Sequence, residues 1–182
     1  VNTSAKIVLT LPDNLMVKVM HRGINIRSTV ECFSELFKKA QKEILLSVPF
    51  FEEEAILYFH SELRSAAQKG VKLKILVRGF FDPKGEYEFV KLLKGLRRIY
   101  DLYDSWGNTS LLEIRDFHHV VKVSSESKPK HYESIHSKLL LVDEKWGYIG
   151  SAEMRRNALF HNFETGLEIN GKIVKILEEI FN

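Results

Sequence analysis

The 182-residue sequence predicts an α/β fold with a mixed, largely parallel central sheet flanked by helices on both faces. Three observations carry this expectation. Two short apolar runs, residues 44–51 and 73–77, have strand length, and amphipathic helical stretches precede and separate them. The order helix, strand, helix, strand then implies a parallel pair joined by a crossover. A third run, residues 139–142, is apolar without alternation, as in a strand covered on both faces.

Taken in order, Ser28 and Glu31 have capping-box spacing, and Val30, Phe33, Phe37 and Ala40 follow at helical intervals. Residues 44–51 (ILLSVPFF) are apolar and end on Pro49, which reads as a buried strand running into a loop. Ile56, Phe59, Leu63 and Ala66 mark a second amphipathic helix that stops at Gly70, ahead of the strand at 73–77. Residues 85–99 are predicted helical, 111–114 and 120–123 are strands, and 173–181 form a closing amphipathic helix. The polar, proline-containing stretch 124–134 is a surface loop. No internal repeat divides the chain, so residues 1–182 are expected to form a single domain.

Lys and Arg number 27 and Asp and Glu 24, a net charge of +3 that permits a phosphate-bearing partner without requiring one. The single cysteine, Cys32, rules out an internal disulfide framework and a cysteine-cluster zinc site, and its helical position predicts core packing. No apolar run approaches the roughly 18 residues of a membrane span. No exposed amphipathic segment or apolar loop is evident either. The expectation is a cytoplasmic protein without stable membrane association.

The chemistry concentrates in IHSKLLLVDEKWGYIGS, residues 135–151. Strand alternation puts His136 and Lys138 on one side and Ser137 on the other. A turn from Asp143 to Gly147 should return the chain antiparallel, bringing Gly150 and Ser151 beside that pair. Gly150 has no side chain to keep a ligand from the backbone, and Ser151 adds a hydroxyl. An imidazole, an ammonium and a hydroxyl at one strand end suit a phosphate, as nucleophile, charge neutraliser and donor.

These residues resemble the HKD signature of the phospholipase D superfamily: His136-x-Lys138, then Asp143 and the Gly150-Ser151 pair at family spacing. Asn162-Phe163-Glu164 is similar to the acidic position that follows the motif in that family. The resemblance implies metal-independent phosphodiester transfer with no cofactor and no metal site, through a phosphohistidine on His136. Glu164 would orient the His136 ring, Lys138 and Ser151 would hold the nonbridging oxygens, and Asp143 would support the loop. The family usually has Asn two positions after the serine, where this chain has Glu153, a carboxylate that would repel phosphate unless paired, protonated or turned away. Such chemistry needs two histidines, one to attack and one to protonate the leaving oxygen, yet the chain has one H-x-K. A homodimer with a shared site is therefore expected.

Arg78 and Lys130 complete the candidate substrate contacts, with Gly150, Ser151 and Glu153. Lys128-Pro129-Lys130, Arg97-Arg98 and Arg155-Arg156 are each solvated faces or part of a phosphate-backbone footprint. His118, His119 and His131 lack acidic or cysteine partners at ligand spacing, which argues against a metal site. Phe50-Phe51 and Phe80-Phe81 follow the two parallel strands; one phenylalanine of each pair is expected in the core and the other available for stacking. The small chain and mild basic charge favour a nucleic acid over a phospholipid as substrate. Alternatives are a phospholipase or phosphatidyl transferase and, because of Glu153, a catalytically silent nucleic-acid-binding module.

Overall fold

The structure, a computed structural model, describes residues 4–23, 26–80, 86–121 and 131–181. Phe81, Gly85, residues 122 and 123 of one expected strand, and Lys128, Pro129 and Lys130 lie outside the described residues. Along the chain run β1 (Ala5–Thr10), α1 (Asp13–His21), β2 (Arg27–Ser28), α2 (Thr29–Lys39), β3 (Glu43–Ser47), α3 (Glu53–Tyr58), α4 (His60–Gln68), β4 (Lys72–Val77) and α5 (Glu86–Asp104). There follow β5 (Leu112–Asp116), β6 (His118–Val121), β7 (His131–Ser134), β8 (Leu139–Val142), β9 (Trp146–Gly150), α6 (Arg156–Phe160), β10 (Glu164–Asn170) and α7 (Lys172–Phe181).

Eight strands form one mixed sheet in the order β2-β1-β10-β9-β8-β3-β4-β5, and β6 and β7 form a separate antiparallel ribbon. The expected parallel pair, β3 and β4, is present, and β5 extends it. Antiparallel joints nevertheless outnumber parallel ones, because β8, β9, β10 and β1 pair antiparallel in succession and β8 joins β3 the same way. The short turn between β8 and β9 permits only antiparallel pairing.

Local chemistry explains the element ends. Ser28 caps α2 as the sequence predicts, its Oγ accepting from Glu31 N while the Glu31 carboxylate accepts from Ser28 N. The strand at residue 44 stops at Ser47, just ahead of Pro49, which has no N–H to donate, and Phe51 beyond it forms an isolated parallel bridge with Met154. The helix expected through Ile56 and Ala66 is broken into α3 and α4 at Phe59, which is fully buried. Gly70, at φ +73°, ends the second part. The helix expected over 85–99 continues to Asp104, where buried Tyr103 donates to Val71 O at 2.8 Å.

The larger core lies between the sheet and α2 to α6, around Phe33, Phe37, Phe51, Phe59 and Tyr148. Cys32 is buried there, and burial pushes its thiol up to about 12, in keeping with a packing role. On the opposite face α7 covers the row Ile169, Gly147, Leu141 and Leu45, placing Val174 against it. In the next row, towards the start of β8, Leu139 and Ser47 are buried, but Ile149, Leu167 and Ile7 are 39%, 40% and 61% exposed. The outer side of α7 also exposes Ile173, Ile176 and Ile180, so the expectation that no amphipathic segment is exposed does not hold. Among the described residues no helix is long and apolar enough to cross a membrane.

Glu178, on the buried side of α7, accepts from Glu144 N at 3.2 Å. Burial, helped by the charges of Glu43, Glu144 and Asp143, pushes its pKa up to about 7 from an ordinary 4.5. Between those two values the folded state binds more protons than the unfolded one, so this group costs stability as pH rises through that window. Glu178→Gln keeps the acceptor oxygen and removes the charge. Its gain in unfolding free energy over wild type, measured by urea titration, should grow from about pH 4.5 and level off above about pH 7. A gain independent of pH would contradict the assignment.

Candidate active site

Because β8 runs antiparallel to β3, its start lies beside the ends of β3 and β4, where the loops carrying Phe50, Glu52 and Arg78 also emerge. His136 and Lys138 occupy the extended residues just before β8. They share a side as strand parity requires: Lys138 Nζ lies 3.4 and 3.5 Å from the two ring nitrogens of His136 and donates to the His136 carbonyl at 3.1 Å. Ser137 points the other way, with its Oγ 2.6 Å from that of buried Ser47. β9 returns antiparallel, and Gly150 N donates to Lys138 O at 3.3 Å, so Gly150 and Ser151 come back beside the pair.

Asp143 sits at the far end of the hairpin. Its carboxylate accepts from Gln41 N, Lys42 N and Glu43 N at 2.8–2.9 Å, tying the turn to the start of β3. Asp143 and Glu144 both adopt left-handed backbone (φ 55° and 56°), and Lys145 N donates to Val142 O at 3.0 Å. Left-handed residues cost about 1–2 kcal/mol each. Three hydrogen bonds to a charged acceptor, at about 1.5 kcal/mol apiece, offset that. Asp143 thus sits at the opposite end of β8 from His136, where it supports the loop as expected.

Gly150 is small for a reason other than ligand access. A Cβ there would lie 2.5 Å from Thr165 O and 2.6 Å from Gly166 Cα, and one on Gly166 would run into the Tyr148 ring. The two glycines let β9 and β10 close around Tyr148, whose Oη accepts from Ala152 N at 3.2 Å. Ser151 is engaged within the chain: its hydroxyl donates to Glu164 Oε2 and accepts from Thr165 N at 3.0 Å. Asn162 Nδ2 donates to the other Glu164 oxygen at 3.0 Å. Glu164 therefore holds Ser151 and Asn162, and among the described residues no hydrogen bond joins it to His136.

Glu153 faces Lys138, with Oε1 3.8 Å from the ammonium. Burial raises its pKa, against the lowering charges of Lys138, Arg155 and Arg78. Its other oxygen is buried and has no hydrogen-bond partner among the described residues. Glu52, which sequence reasoning missed, organises the neighbouring loop. Lys91 donates to it at 2.6 Å, Arg155 Nε at 3.1 Å and Arg156 N at 3.2 Å. Burial opposes its ionisation, but these donors outweigh it and hold the carboxyl below the usual range. An acid just beyond a buried strand end, where the loops of α/β sheets gather, was the available signal. Arg78 and Arg155 both lie over the Phe50 ring, 4.5 and 5.0 Å from its centroid, while Phe51 is core. The described residues hold no group of three or more His, Cys, Asp or Glu side chains arranged for a metal ion.

The family profile described as "Cardiolipin synthase, PLD-like domain" matches residues 33–182. The chain belongs to the phospholipase D-like family. Cardiolipin synthase B of Salmonella typhi is 27% identical over 118 residues, 65% of this chain and 25% of that protein. The phospholipase D-like chain thus spans about a quarter of the length of the curated relatives it matches. Two solved structures share the fold over 98% of the chain. NucT from Helicobacter pylori has a TM-score of 0.59 at 14% identity, with 93% of it covered. Nuc from Salmonella typhimurium, a phospholipase D family member, has a TM-score of 0.57 at 15% identity, with 91% covered. The fold is accordingly that of the phospholipase D superfamily of phosphodiesterases.

Replacing Glu153 by Asn removes a partly desolvated carboxylate from the Lys138 ammonium and supplies a donor. Glu153→Asn should bind inorganic phosphate more tightly, by about 1–3 kcal/mol in calorimetric titration at neutral pH. Unchanged or weaker binding would mean that the Lys138–Glu153 pair is part of the working site.

Proposed function

We propose that the chain, as one domain carrying one motif, is a metal-independent phosphodiesterase acting on nucleic acid, with His136 as nucleophile in a site shared by two copies. The observation that carries the reading is the His136–Lys138 pair, side by side at a strand mouth, the ammonium 3.4–3.5 Å from the ring nitrogens. In the proposed step a ring nitrogen of His136 bonds to phosphorus as the bond to the leaving oxygen breaks, and that oxygen takes a proton from the partner's His136. Water then attacks the phosphohistidine, gives its proton to the partner's His136, and the P–N bond breaks. Lys138 neutralises charge on the nonbridging oxygens throughout. Asp143 and Glu164 are positioning residues, the first through the hairpin and the second through Ser151.

Two features support a second copy. One is chemical: attack on phosphorus and protonation of the leaving oxygen call for a second histidine opposite His136. The other is the uncovered row Ile7, Leu167 and Ile149, one strand position from Gly150 and Gly166 at the site end of the sheet, on the face opposite the His136–Lys138 pair. An isologous interface over that row would bring like residues together across a two-fold axis. A second reading, phospholipase or phosphatidyl transferase, is favoured by the likeness to cardiolipin synthase B and by the exposed isoleucines of α7.

The nucleophile can be trapped. A single turnover on phosphorus-labelled substrate, run with a chelator and quenched in alkali, should leave label on His136 at an undiminished rate and none on His136→Ala. Loss of turnover with the chelator and recovery with a divalent ion would sink the mechanism.

Sharing of the site is tested by mixing wild type with His136→Ala at fixed total protein, under unfolding and refolding so that partners exchange. Activity should follow the square of the wild-type fraction. A linear dependence would refute the shared site and require another general acid, with His131 and His161 the candidates.

A further inference from the structure

Glu153 is placed to sense any anion that the His136–Lys138 pair takes, and its surroundings are a poor place for a negative charge. Its side chain is only 16% exposed, and Oε2 is buried with no hydrogen-bond partner among the described residues. Oε1 faces Lys138 Nζ at 3.8 Å, too far for a hydrogen bond, so the ammonium offsets the carboxylate through charge alone. That same ammonium lies 3.4 and 3.5 Å from the ring nitrogens of His136 and donates to the His136 carbonyl. Charged groups reach Glu153 from four parts of the fold: Lys138 ahead of β8, Arg155 ahead of α6, Glu164 at the start of β10 and Arg78 after β4. Lys138 has the largest effect of the three cations, Glu164 repels, and Arg155 already gives its Nε hydrogen to Glu52. Burial outweighs the cations and holds the carboxyl above its ordinary value before any ligand is present.

We infer that an anion seated at the His136–Lys138 pair enters together with a proton from solvent, which Glu153 takes up and holds while the site is occupied. The inference rests on the reading that this pair binds phosphate, and adds to it a group whose charge changes with occupancy. The cause is competition for one ammonium. An anionic oxygen on Lys138 Nζ brings a second negative charge to the cation that offsets Glu153, and a mostly buried carboxylate deprived of that offset is strongly disfavoured. Protonated, the group no longer repels the anion and gains an O–H to donate. Anion binding thus makes Glu153 a stronger base, so affinity rises as pH falls through the interval between its free and anion-bound values, and Glu153 adds no pH dependence outside it. An asparagine at this position would have no charge to lose, so the link belongs to the glutamate of this chain.

The probe is sulfate, which keeps both charges over the range used, titrated calorimetrically into the full chain from about pH 5 to about pH 9. Wild type should lose affinity with rising pH more steeply than Glu153→Gln, by as much as about tenfold per pH unit, the slope of one linked proton. Glu153→Gln leaves His136 in place, so the difference between the two proteins isolates the carboxyl. Their affinities should agree within about twofold at the acid end, and the variant should bind about tenfold more tightly at the alkaline end. Titrations in two buffers of different ionisation enthalpy should show more protons taken up per sulfate by wild type than by the variant. Infrared difference spectra need no variant: adding sulfate to wild type within the sloping interval should produce a protonated-carboxyl band. Parallel pH profiles for the two proteins, or sulfate binding without that band, would overturn the inference. Lys138→Met separates this from failure of the site itself. Sulfate binding that is absent from wild type, or that survives Lys138→Met, defeats the reading that the pair holds phosphate and the proton link with it; binding that needs Lys138 but shows parallel profiles defeats the link alone.

Discussion

The site depends on the β8–β9 hairpin being held in one position against β3, and the Asp143 carboxylate does this by taking three backbone N–H groups from residues 41–43. With the turn anchored at one end, register along the hairpin carries the constraint to the other. Leu140 faces Tyr148, Leu139 faces Ile149, and Gly150 N reaches Lys138 O. His136 and Lys138 thus gain their place from an interaction four residues of strand away. The aspartate of the motif is structural in this chain, although it belongs to the same short signature as the nucleophile candidate.

A second constraint is steric. Tyr148 fills the space between β9, β10 and α2, edge-on to Phe33 at 4.9 Å, and only glycine fits at positions 150 and 166 beside it. The strands can therefore approach closely enough for Ser151 to join Glu164 and Thr165. The polar parts of the site are consequently wired to one another before any substrate arrives: Ser151 to Glu164, Lys138 to Glu153, Arg155 to Glu52. Lys138 and Arg155 are thus paired with carboxylates, and an anion at the His136 end of β8 would have to compete with them. Glu153 makes that competition stronger here than an asparagine would.

The two faces of the sheet differ in a way that bears on assembly. Five helices cover one face, and among the described residues α7 alone packs its core on the other, leaving Ile7, Leu167 and Ile149 open beside the site end. The apolar row at the site end of the sheet, on the face opposite His136 and Lys138, is where the shared-site reading would seat a second copy.

The sequence by itself determined several of the elements and the motif geometry, because both rest on local rules. The capping box of α2, the parallel β3–β4 pair, the common side of His136 and Lys138 and the antiparallel return of Gly150 all follow from periodicity and spacing within a few residues. Only tertiary structure decided the partners. Glu164 was expected to meet His136 and instead holds Ser151 and Asn162; Phe50 was a candidate stacking surface and instead lies under two arginines. Glu52 drew no attention until Lys91 and Arg155, 39 and 103 residues away, were brought to it. Such contacts depend on which strands become neighbours and on how far long side chains reach across them, and neither quantity has a period that a single chain can display.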